Sequence, residues 1–206
     1  PLTSTEPFVR RAILPSLLRR VEHNFAHGNR DVRLFEIATS FRKTGKGEPP
    51  REETHLAVVM TGRREPSHWS RQDEFIAVWD LKALLETVAR ISYAGAAKVI
   101  VEADVVAPFH EGTCLAVMDR TDLSVGHGGL VLSSEIDAPV WAGDIWGFEI
   151  TLPSNPLRLP TPEHVPLPTF PAIERDLALI VPIGHTAAEL DLLIRNSGGV
   201  LLESLE

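Results

Sequence analysis

The sequence predicts an α+β fold: a largely antiparallel sheet flanked by helices, followed by a short β-α unit. Three observations carry this. Two segments repeat apolar residues at helical spacing. About six short segments rich in β-formers are mostly joined by turns. Seven prolines fall between Pro153 and Pro171 and part the main body from the C-terminal segment. Proline fixes φ and removes amide donors, so that stretch cannot pair as a central strand.

The first helix is expected over 14–27. Leu14, Leu17, Leu18, Val21 and Phe25 share one stripe, Pro15 suits a first turn, and Gly28 suits the left-handed stop after it. "DVRLFEIATSF" (31–41) reads as a strand. Its apolar residues Val32, Leu34, Phe35 and Ile37 lie on both faces, which predicts cover on both sides. "KTGKGEPPRE" (43–52) is a polar loop, "THLAVVMTG" (54–62) a second central strand, and "RREPSHWSRQDE" (63–74) another polar loop.

Val78, Leu81, Leu85 and Val88 predict a helix over 75–91, with Lys82 and Glu86 spaced for an ion pair. "AKVIVEA" (97–103) is a short strand. Residues 113–134 form a hairpin turning near Arg120–Asp122, and "DIWGFEITL" (144–152) is the last strand of the main body. The organisation is therefore a core over 1–152, a proline-rich linker over 153–169 and a second unit over 170–206. That unit should hold a strand at about 175–181, a helix at about 186–196, and in "GGVLLESLE" at most the start of another strand.

Composition narrows the function. The net charge of −8 argues against a nucleic-acid binder acting through its whole surface. Residues 1–50 hold nine Lys/Arg against five Asp/Glu, and residues 51–206 hold eleven against twenty-three. Arg10-Arg11 and Arg19-Arg20 could touch phosphate, but as part of a helix and its approach they fit a solvated face better. No apolar run approaches the ~20 residues that span a bilayer, so no membrane is expected. The single Cys114 excludes an internal disulfide framework and a cysteine-built zinc site, which suits a reducing cytoplasm. "PLTSTEPFVRR" has no signal-peptide core and no initiator Met, so the chain reads as a piece of a longer one.

Candidate chemistry is sparse. His23 and His27 share a helix face at i,i+4 and could bridge a metal, but no third ligand is near in sequence. "GHGG" (126–129) sits inside a hairpin strand, where glycines mark a bulge or close backbone approach rather than a phosphate loop. Nothing resembles a nucleophile elbow.

"FVRRAILPSLLRRVEHNFAHGNRDVRLFEIATSF" carries a resemblance. Arg11-Ala-Ile-Leu-Pro15-Ser-Leu-Leu18 and Val32-Arg-Leu-Phe-Glu-Ile37-Ala38 resemble the β subunit of bacterial phenylalanyl-tRNA synthetase, where its class II synthetase-like core begins. "HWSRQDEFIAVWDLKALLETV" (68–88) resembles that family's W…D-F-x-D-L-K-G-x-V-E. "FPAIERDLALIVP" (170–182) resembles its F-P-A-x-x-R-D-L-A-x-V-V, which opens a ferredoxin-like anticodon-binding domain. The matches come in the family's order. Departures lie at His110–Leu115, where the family shows H-P-G-R/Q-S-A, and at Gly129–Ser133, where it shows G-x-V/L-H-P.

The resemblance implies a cytoplasmic heterotetramer of two α and two β subunits. Catalysis, with its ATP and magnesium, belongs to α, and the β core is silent. It implies an incomplete ferredoxin-like unit at 170–206, tRNA binding in the full-length protein and little or none here, and an α subunit as partner, with self-association open. The residues agree with silence. Arg33 stands where a class II enzyme places a strand arginine on ATP phosphate, but no second arginine follows "DIWGFEITL" before Arg158. One cation without its partner stabilises a transferring phosphate poorly. The expectation is therefore no catalytic, cofactor-binding or metal residue on this chain, with Arg33 in a structural ion pair with Glu36 or another core acid. Two other readings stand beside it: an adenylate-forming domain with its own activity, and a free-standing module binding an amino acid or peptide.

Overall fold

The computed structural model describes residues 9–155, 157–158, 161, 163–164 and 171–205. Much of the predicted linker, and Phe170, lie outside the described residues. The chain divides into two units, Pro1–Pro162 and Glu163–Glu206.

Helix α1 spans Leu14–Ala26, with Pro15 in its first turn and all five residues of the predicted stripe buried. It stops at Gly28, whose φ of +80° is open to a residue without Cβ. Strands β1 (Val32–Arg42) and β2 (Arg51–Thr61) pair antiparallel over their full length. Helix α2 (Val78–Ser92) starts at the first residue of its stripe, three positions later than the expected 75. Ile76 is buried ahead of it, and the Asp80 carboxylate accepts the Ala77 N–H at 2.9 Å, which fixes the start. Lys82 and Glu86 form the expected pair at 2.5 Å.

Strands β3 (Lys98–Val101), β4 (Leu115–Met118), β5 (Ser124–Leu130) and β6 (Ile145–Thr151) complete a six-stranded antiparallel sheet in the order β1-β2-β6-β5-β4-β3. The β4–β5 hairpin turns where predicted. Asp119 there accepts the amides of Thr121 and Leu123, and Asp122 adopts φ +56°.

The helices lie on opposite faces and over different halves of the sheet. One core cluster joins the α1 stripe to Val32, Ala57, Val59 and Ile145. The other joins Leu81, Leu85 and Ala89 of α2 to Val58, Met60, Val117, Trp146, Phe148 and Ile150. β2 is central as expected, with Ala57–Met60 buried on both faces.

β1 is not. It is an edge strand, with Val32 and Leu34 toward α1 while Phe35 and Ile37, on the other face, are 72% and 55% exposed. The expectation of cover on both faces fails because α2 lies over the β3–β6 half and leaves β1 bare. No helix among the described residues is long and apolar enough to cross a membrane.

In the second unit, α3 (Ala187–Gly198) forms where predicted and carries a reciprocal cap. The Glu189 N–H donates to Thr186 Oγ1 at 3.2 Å, and the Thr186 N–H donates to the Glu189 carboxylate at 2.8 Å. The strand expected at 175–181 does not form a ladder, and "GGVLLESLE" opens with a 3-10 turn at Gly199–Leu201 rather than a strand. A strand is defined by its partner, and no other strand of that unit exists among the described residues. α3 has no buried residue, and Leu177, Leu179, Leu192 and Leu193 are exposed.

A chain ending at Thr161 is therefore expected to keep the Tm of the full chain's main unfolding transition within about 3 °C, the shift of ~1 kcal/mol in a domain of this size. Residues 163–206 alone should show no cooperative melt by circular dichroism. A cooperative transition in that piece would show a core of its own.

Candidate functional site

The α1 face of the sheet holds a cleft of about 470 Å³. One wall is the start of α1, from Arg11 to Pro15, and the other is Val106–Phe109. The floor is a polar row across three strands: His55 on β2, Glu149 and Thr151 on β6, and Ser124 and His127 on β5. His127 and Glu149 are register partners, so their side chains rise from the same face.

Glu149 is the centre of this row. Its carboxylate accepts the Ile13 N–H at 3.0 Å and the Leu14 N–H at 2.8 Å, the first free amides of α1. Ile13 sits at the N-cap without a side-chain acceptor, so a glutamate 136 residues away fills the role. The His55 Nδ1 lies 2.5 Å from Glu149 Oε1 and donates to it. Burial pushes the Glu149 carboxyl up, but the bonds from His55, Leu14 and Ile13 and the imidazole charge outweigh it and hold the group below its ordinary value. The His55 Nε2 edge meets Thr151 Oγ1 at 3.4 Å and Glu53 at 3.6 Å, and Glu53 also pairs with Arg42 at 3.2 Å and Arg51 at 3.4 Å.

Chemically, this row is occupied with structure. The oxygens of Glu149 are taken by two amides and an imidazole, so it is a poor base. Burial pushes the His127 imidazole down, against the charge of Glu102, and its Nε2 meets Ser124 Oγ at 3.0 Å. No hydrogen bond among the described residues holds its other nitrogen, so the Ser–His pair lacks the third group that orients a base.

"GHGG" is packing, as expected: a Cβ on Gly128 would lie 2.6 Å from that of Phe148. On β6, Gly147 sits in a similarly tight place, since a Cβ there would lie 3.1 Å from the Val58 carbonyl oxygen and 3.2 Å from the Leu14 side chain of α1. Cys114, in the divergent 110–115 segment, is buried in the α1 core cluster, and its burial raises the thiol pKa. In the 129–133 segment, Val131 is in the same cluster.

The arginines singled out by sequence separate. Arg10 pairs with Glu36 at 2.7 Å and also donates to the Thr39 carbonyl. Arg11 lines the cleft mouth, while Arg19 and Arg20 lie exposed on α1. Arg33 is not paired with Glu36, because residues 33 and 36 point to opposite faces of β1. Its Nη2 instead donates to the carbonyls of Arg63 and Arg64, both at 2.6 Å, on the face away from the cleft. His23 and His27 stand side by side, 4.3 Å between ring centroids, with the His27 Nδ1 bonded to the His23 carbonyl. No group of three metal-ligating side chains occurs among the described residues.

The class these features define is an α+β domain on a wholly antiparallel sheet with one helix per face. The chain belongs to the family described as the phenylalanyl tRNA synthetase beta chain CLM domain, whose model matches residues 1–152. Curated relatives extend the match. The phenylalanine--tRNA ligase beta subunit of Syntrophotalea carbinolica is 30% identical over 100% of this chain and 25% of its own length. That of Nocardia farcinica is 30% identical over 100% of this chain and 27% of its own length. The Chlorobaculum tepidum subunit is 43% identical over 42% of this chain and 12% of its own length. The chain thus spans about a quarter of the full-length relatives. A pyrrolysyl tRNA synthetase structure from Desulfitobacterium hafniense aligns at a TM-score of 0.46 and 23% identity over 69% of this chain and 46% of that one, too loose a likeness to carry an argument.

Replacing Glu149 by Ala should lower stability by about 2 kcal/mol, the scale of a lost cap plus a charged hydrogen bond. A carboxyl held low in the folded state contributes fully above its ordinary value of 4.5 and loses that contribution as pH falls through the lower folded value. The stability gap between wild type and Glu149→Gln, read from urea melts, should accordingly be widest above pH 4.5 and narrow below it. A gap that stays constant to pH 3 would rule out the cap.

Proposed function

We propose that this chain is the part of a phenylalanine--tRNA ligase β subunit that builds an assembly surface for the α subunit, with no active site of its own. The carrying observation is the bare face of β1: Phe35 and Ile37 project from a rigid paired strand into solvent. Large apolar side chains so placed mark a protein interface. The cleft on the opposite face supports silence, because its central carboxylate is spent on capping α1. Arg33 supports it too, since its guanidinium is bonded to carbonyls on the other side of the sheet and cannot clamp a phosphate in the cleft.

In the full subunit, the segment from residue 170 belongs to an anticodon-binding domain, so tRNA contact lies with that domain rather than with residues 1–152. ATP and magnesium are handled by α, in a cytoplasmic α₂β₂ assembly. The reading as a free amino-acid or peptide module has no comparable observation behind it.

Two measurements test this. The chain alone should support no phenylalanine-dependent ATP–pyrophosphate exchange, and exchange abolished by Arg33→Ala would overturn the silent reading. Phe35→Asp should weaken capture of a co-expressed α subunit at least tenfold while leaving the Tm of the free chain unchanged, since Phe35 already faces water. Undiminished capture would place the interface elsewhere.

A further inference from the structure

The loop between β2 and α2 is polar in sequence and tightly braced in structure. Arg33 ties its root to β1 through the carbonyls of Arg63 and Arg64. Arg63 reaches Asp31 at 3.2 Å and Asp73 at 2.7 Å, and Arg64 reaches Asp80 at 2.7 Å and Glu74 at 3.2 Å. Arg71 pairs with Glu65, and Arg63 and Phe75 close the loop with a β-bridge. At its tip Trp69 is 93% exposed, and Phe75 and Trp79 at its exit are 63% and 71% exposed.

Two features of this loop bear on what it meets. It is continuous with the bare face of β1, since Arg33, which holds its root, projects on the same face as Phe35 and Ile37. Its charges are also already matched: Arg63, Arg64 and Arg71 each face an acid within the loop or beside it. A nucleic acid needs cations free to replace counterions, and none of these three is free. A charged protein patch would meet no net field. The chemistry that complements an unsheathed indole within a ring of neutralised charges is an uncharged, apolar pocket.

We infer that residues 63–75 form a pre-organised docking loop that seats Trp69 in an apolar pocket of the companion subunit, with Arg33 as the positioning residue that holds the loop in place. This rests on the assembly reading above and extends it from a strand face to a specific anchor. Bracing lowers the ordering entropy lost on contact, so the energy of the anchor goes into affinity.

The test uses the full-length subunit and its companion, with affinity measured by biolayer interferometry. Trp69→Ala should weaken association by about 30-fold or more, the level of an interface hot spot. Trp69→Phe should recover most of that loss. Arg33→Ala should weaken association mainly through a slower on-rate and raise proteolytic nicking within 63–75, which a purely surface role for Arg33 would not do. Raising salt from 0.1 to 0.5 M should change wild-type affinity less than about threefold, because the contact is uncharged. Trp69→Ala at wild-type affinity, alongside weakened Phe35→Asp, overturns the docking loop and leaves the assembly reading standing. Unchanged affinity in both variants overturns both. Trp69→Ala that spares assembly but lowers tRNA retention, or that dissolves a homodimer instead, would give the loop a different occupant and overturn the proposal. Trp69 already faces water, so a drop in the Tm of this variant is not expected, and a circular dichroism melt checks it.

Discussion

Glu149 fastens the first helix to the middle of the sheet, and the geometry of both faces follows from that bond. A helix beginning Ile-Leu-Pro has no side-chain oxygen to offer its own free amides. The acceptor comes from β6, and the acid also sits at the positive end of the helix dipole. With the N-terminus of α1 fixed there, its stripe runs over β1, β2 and β6, with Phe109, Cys114, Val131 and Ile136 completing the cluster. The small residues Ala57 and Gly147 beneath it let the helix lie close, and the polar row from His55 to His127 is left at the open end.

The placement of α1 decides what the sheet can offer. Each helix covers about half of one face, so two areas remain. One, beside α1, is the cleft whose polar groups are already engaged. The other, beside α2, is the bare face of β1 with the braced loop at its end. The first is polar and inward, the second apolar and outward. A sheet that could have carried a ligand on one face is thereby better suited to carrying a neighbour on the other.

Much of this was legible in the sequence, for local reasons. The α1 stripe, Pro15, Gly28, the β4–β5 turn and the helix near 186–196 each depend on residues within a few positions of one another. What was not legible depends on distance. The apolar residues on both sides of β1 look the same whether a helix or a second polypeptide covers them. Glu149 and His55, 94 positions apart, leave no local signature, although a glutamate among the apolar residues of "IWGFEIT" was the available hint. Arg33 bonds to carbonyls, which no side-chain pattern reveals. The strand at 175–181 has the right composition, but ladder formation requires an edge that composition does not supply.

The strand order also sets a timetable. β6 lies between β2 and β5, yet it is made after both, and 84 positions separate its first residue from the last of β2. At ribosomal speeds of 5–20 residues per second, roughly 4 to 17 seconds pass between these strands emerging. Through that interval the inner edge of β2 is open, that of β5 joins it only for the last 15 positions, and α1 has neither its cap nor the β6 part of its platform. The nascent chain therefore carries its stickiest surfaces early and receives the strand that closes them late. Unpaired edges of this kind are the aggregation-prone species of a folding chain, and a translational pause just before Ile145 would lengthen the period in which they stay open.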